Sequence, residues 1–141
     1  MEKMLELAYK EGIDVEEFDF PPPLRGIYIC QLDANAMAIG LDKNLDTIAE
    51  KRSIMAEELG HHFTTVGQCI SREFYNYSNR LQIDKAEYVA LRWAANYLIS
   101  DDDLLDALQE GLDDISSLAE RFTVTPDIIK LRLKLFGKPV Y

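Results

Sequence analysis

A chain of 141 residues with 48% hydrophobic and 10% aromatic residues, seven glycines and five prolines is neither disordered nor of low complexity, and it is long enough to bury its own core as one domain over residues 1–141. A formal net charge of −10 and a pI near 4.6 disfavour unspecific binding to phosphate backbones, because the field of the whole molecule repels them. The acidic, amphipathic start MEKMLELAYKEG is not a secretory signal, and no run of ~18 apolar residues follows, so a soluble cytoplasmic protein without membrane contact is expected.

In chain order, Met4, Leu5, Ala8 and Tyr9 fall at helical spacing and predict a short helix ending at Gly12. The segment GIDVEEFDFPPPLRG reads as an extended connector, since Pro21 to Pro23 suit neither a helix interior nor a central strand. GIYICQL and AMAIGL, parted by Asp33, Ala34 and Asn35, have the pattern of a two-stranded hairpin. Cys30 and Cys69 are far apart and outside any Cys-x-x-Cys spacing, so both read as reduced thiols.

DKNLDT supplies a loop with an Asp or Thr cap. From Leu45 to about Thr64 the spacing is helical, with Leu45, Ile48, Arg52, Met55, Leu59 and Phe63 near one face. SREFYNYSNRLQ has no clean period and predicts a surface loop. Ala86 to Ile99 returns to helix, and Asp101 to Asp103 open another, where the helix dipole favours negative charge. The remainder reads as two helices joined at Thr123 to Pro126, so that residues from about 100 to 141 form a helical C-terminal part.

Within the central helix, AEELGHHF places two glutamates and two histidines close together. Residues four apart lie about 40° from each other around a helix axis, so Glu57 and His61 share a face and can grip one cation. Glu58 stands about 100° further round, able to reach a water beside such an ion. Ile54 falls on the same side as Glu57 and His61, opposite Leu59, which predicts a helix buried on one side and lining a cleft on the other. The bland reading is a solvated helix face, and the frame Glu58 with His62 has the same spacing, although His62 sits at the edge of the Leu59 face and suits a hydrogen-bonded core histidine.

IMAEELGHHFTT, preceded by the hairpin and followed by KAEYVALRWAANYLI, resembles the ImmA/IrrE family of metallo-endopeptidases, in particular short forms from phages and mobile elements. The similarity runs from about Gly26 to Phe136. The resemblance implies an α+β, zincin-like fold with a small antiparallel sheet packed on the metal-binding helix. It implies Zn2+, or Mn2+ or another divalent ion, held by Glu57, His61 and Glu87, with Glu58 as the catalytic base. Without it, Glu87 would not be chosen over Asp84. Position 57 departs from the usual His-Glu-x-x-His string, since glutamate replaces the first histidine, and two carboxylates with one imidazole make a harder donor set.

The implied activity is cleavage of a helix-turn-helix repressor in the cytosol of a bacterial host. The alternative, from another class, is a regulatory module whose degenerate site acts on the repressor by contact alone. The tail LAERFTVTPDIIKLRLK itself resembles a helix-turn-helix. Five basic against two acidic residues between Leu118 and Lys138 give +3 there and leave −13 for the rest. Ile128, Ile129, Leu131, Leu133 and Leu135 spend its second helix on apolar contacts, so a helical cap or docking surface is expected rather than DNA binding.

Overall fold

Gly12 ends the first helix by taking a positive φ of +73°, a conformation open to glycine at little cost. In a computed structural model, which describes residues 1–31, 36–65 and 80–136, that helix is α1 (Glu2–Lys10), with Met4 and Ala8 buried four positions apart. Three strands follow, β1 (Ile13–Phe18), β2 (Gly26–Gln31) and β3 (Ala36–Asp42), then α2 (Ile48–Thr64), α3 (Arg80–Leu98), α4 (Asp101–Gln109), α5 (Ile115–Phe122) and α6 (Pro126–Leu135). The architecture is α+β, as expected. Among the described residues, no helix is long and apolar enough to cross a membrane.

The sheet has the order β1-β3-β2 and is mixed. The antiparallel β2/β3 pair is the expected hairpin, with Tyr28 opposite Ile39; its turn residues lie outside the described ones. The expected purely antiparallel sheet is corrected by β1, which pairs parallel with β3, Ile13 opposite Met37 and Val15 opposite Ile39. Its sequence hides it, because only Ile13 and Val15 mark the inward side of a charged stretch. Cys30 is also corrected: it is disulfide-bonded rather than a reduced thiol, since separation along the chain says nothing about proximity in space. Cys69 lies outside the described residues.

Among the described residues, the buried apolar side chains form two clusters. The first joins α1, the sheet and one face of α2 through Met4, Ile39, Leu41, Met55 and Leu59; the second joins the end of α3 to α4, α5 and α6 through Ile99, Leu104, Leu118 and Ile129. The neighbours Ala94 and Ala95 on α3 belong one to each, so α3 is the wall between them. It starts earlier than expected, at Arg80, which takes in the end of the expected surface loop; residues 71–79 of that loop lie outside the described ones. Ile48 is another departure, 64% exposed on the first turn of α2 rather than part of its apolar face.

Polar tethers set α6 beside α2. Arg52 donates through Nε to the Thr123 carbonyl at 3.1 Å, and the Thr125 amide donates to Ser53 Oγ at 3.0 Å. From the other side, the buried Arg132 donates through Nε to the Ile99 carbonyl at 2.7 Å and pairs with Asp101. Each arginine thus ties a helix to backbone that ends or links another helix.

Candidate metal centre

The site begins with a cap. Thr47 takes an extended conformation and its hydroxyl accepts the Glu50 amide at 3.1 Å, which fixes where α2 starts and hence which residues share its faces. Ten residues on, Glu57 and His61 stand one turn apart.

Gly60 brings the third group. A Cβ built at Gly60 would lie 2.3 Å from the carbonyl oxygen of Ala90, so α2 and α3 touch backbone to backbone there and no side chain fits between them. This close approach leaves Glu87, one turn before Ala90, against His61: Nε2 of His61 is 3.2 Å from Oε1 of Glu87. One ligand atom from each of Glu57, His61 and Glu87 lies within 4.8 Å of the others. The structure therefore brings together all three residues singled out in the sequence. The side chain of Asp84, the other acidic candidate, lies outside the described ones.

The electrostatics of the cluster are strained in a way that a cation relieves. Burial, and then the charge of Glu87, push the Glu57 carboxyl up to about 7. Burial alone would lower the pKa of His61, but its hydrogen bond to Glu87 and the charges of Glu87, Glu58 and Glu57 outweigh that and raise it. Two carboxylate oxygens and an imidazole nitrogen are a donor set for a divalent ion, and tetrahedral zinc places its ligand atoms about 3.4 Å apart, a modest contraction of the cluster. A positive ion between Glu57 and Glu87 turns their repulsion into shared attraction.

Glu58 is 7% exposed and turns toward the start of β2, its Oε1 3.1 Å from the position a Cβ would take on Gly26. Its charge reaches His61. The competing frame, Glu58 with His62, does not form a ligand pair. His62 is buried as expected for a core histidine, with Nδ1 2.7 Å from the Tyr28 hydroxyl and Nε2 2.9 Å from Glu11, so both ring nitrogens are engaged. Two adjacent histidines thus do different work, one facing the cluster and one knotting β2 and the end of α1 to α2.

A cleft is present on the expected side of α2, although His61 does not line it. Ile54 and Glu57 line a cleft of about 580 Å³ bounded by α2, α3 and α6. The sequence reading missed Gly60, Tyr28 and Glu11. Gly60 carried a usable signal, since glycine inside a helix costs about 1 kcal/mol against alanine and is tolerated where another backbone must come close.

The amino-acid sequence also matches the model of a peptidase family, described as the IrrE N-terminal-like domain, over residues 9–134. No curated protein matches the chain. The family match spans most of the 141 residues and includes Glu57, Glu58, His61 and Glu87. With that extent of match, the chain belongs to the IrrE N-terminal-like peptidase family.

Proposed function

We propose that this protein is a metal-dependent endopeptidase in which Glu57, His61 and Glu87 hold a divalent ion, zinc or a harder ion such as manganese, and Glu58 is the general base. The observation that carries the reading is the convergence of those three donors within 4.8 Å in a chain of a peptidase family. When bound, the ion lowers the pKa of a water and polarises the scissile carbonyl. Glu58 takes a proton from the attacking water and hands it to the leaving amine, a role that suits a carboxylate buried beside Gly26 and close to His61. His61 is oriented by Glu87 on one side and by the helix on the other.

The substrate we infer is a helix-turn-helix repressor of a phage or mobile element in the bacterial cytosol, a reading supported by the likeness to short phage forms. Direct DNA binding by the tail is not part of it. Ile128, Ile129 and Arg132 turn into the protein, and three half-buried leucines at 131, 133 and 135 leave little of α6 for a phosphate backbone.

Elemental analysis and thermal shift with zinc and manganese test the centre, with about one ion per chain expected and a rise in Tm that grows with free ion. Glu57→Ala is expected to weaken metal binding, and Glu57→His to hold zinc at least as well as the parent. No ion and no shift at saturating zinc or manganese would favour a regulatory module that acts on the repressor by contact alone.

A further inference from the structure

The cleft beside Glu57 has a wall that the chemistry at the metal centre does not use. Its floor is apolar, from Leu45 and Ile54 on one side and Leu91, Ile128 and Leu131 on the other. Its outer wall is α6, where Lys130 and Lys134 stand one turn apart and exposed. Among the described residues neither lysine has a carboxylate within ion-pair distance, whereas the third cation of the cleft, Arg25, is held by Glu50 at 2.9 Å and lies near Asp42. The carboxylates that face the same space are accounted for: Glu50 by Arg25, Glu57 by the metal centre, and Asp127 by the positive end of α6, in whose first turn it sits. Lys130 and Lys134 thus give one wall of an apolar cleft a local positive charge in a chain of net charge −10.

We propose that this cleft is a specificity subsite for the polypeptide substrate, taking a large apolar side chain against Ile128 and Leu131 with an acidic neighbour against Lys130 and Lys134. The inference rests on the peptidase reading, because Glu57, one of the proposed metal ligands, lines the cleft. Its volume of about 580 Å³ suits a bulky side chain with part of its backbone. It also assigns a purpose to the C-terminal helices. α6 is fixed beside α2 by Arg52 and Ser53 on its leading turn, so the subsite is preformed rather than assembled by the substrate.

The test uses a positional-scanning library of fluorescein-labelled dodecapeptides. Binding is read by anisotropy on the zinc-loaded Glu58→Gln protein, and cleavage by chromatography on the zinc-loaded parent. The expected result is selection of Leu, Phe or Met at one position and of Asp or Glu beside it. Lys130→Glu with Lys134→Glu, both at exposed positions, should invert the charge preference by at least about tenfold, and Leu131→Trp should shift the apolar preference toward smaller residues. Selection that inverts in binding while no metal supports cleavage upholds the subsite and removes the peptidase reading. Cleavage whose charge preference ignores the double reversal keeps the peptidase reading and overturns the subsite, as does failure of every library peptide to bind.

Discussion

The two apolar clusters of this molecule differ in what they bury along with their hydrocarbon. The cluster of sheet, α1 and α2 sits among Asp42, Ser53, Glu58 and His62, all nearly withdrawn from water, whereas among the described residues the helical cluster has Arg132. A buried polar group costs free energy unless it is paired, so such groups persist where they position something. In the first region three of them do so: Ser53 holds the turn before α6, His62 joins three elements, and Glu58 places its charge near His61 of the candidate metal cluster. The second region is simpler. Its apolar contacts hold α3 and α6 where the first region needs them, and away from the cleft residues Leu91, Ile128 and Leu131 its substitution should act through stability alone.

The sharpest break between the two comes from Glu58→Gln. Cleavage of a protein or peptide substrate should fall by roughly 10²–10⁴-fold while zinc content and Tm stay near the parent values, the signature of a lost base. Leu104→Ala, at a fully buried position of the second cluster, should instead lower stability by about 2–5 kcal/mol in denaturant titration and leave activity per folded molecule unchanged well below its Tm. If Leu104→Ala reduces turnover without reducing stability, the division of labour described above is wrong.

Gly60→Ala is a finer probe, since it lies where the regions meet. Its Cβ meets backbone that cannot rotate aside, so a loss of about 1–3 kcal/mol is expected, together with weaker zinc binding in an isothermal titration as α3 carries Glu87 away from His61. Unchanged zinc affinity would show that the helix contact does not set the third ligand. The smallest effect is a pH slope. With the Glu57 carboxyl raised to about 7 in the fold from an ordinary value of 4.5, the metal-free fold binds that proton more tightly than the unfolded chain. Its contribution to stability is full below about 4.5 and is lost as pH rises through about 7; the raised His61 acts in the same direction around its own range. Saturating zinc should reverse the slope, because deprotonated ligands bind it. Urea midpoints from pH 4 to 8, with chelator and with zinc, measure both arms, and parallel slopes would separate Glu57 from the metal.

Much of this was legible in the sequence, for reasons particular residues make plain. Four-residue spacing on a capped helix is rigid geometry, so the shared face of Glu57 and His61 and the opposite face of Met55 and Leu59 follow from the sequence. Glu87 follows from the resemblance alone and not from spacing, because which turn of a second helix meets the first depends on packing, here on a glycine against a carbonyl oxygen. β1 escaped notice since its parallel partner is β3, past an intervening strand, and a parallel pairing leaves no hairpin signature in the chain. The pairing of His62 with Tyr28 and Glu11 depends on two long-range contacts for which no local pattern exists.

The family match opens at residue 9, inside α1. Met4 and Ala8, which precede it, are buried against the same core as Leu59, and Glu11 immediately after the helix holds His62. A chain trimmed to start at residue 9 would keep Glu11 but lose Met4 and Ala8, and would therefore open a hole in the core that holds Leu59. At this end the residues that fold with the core extend beyond the match by about two amphipathic turns of α1, which act as a lid on the hydrophobic interior.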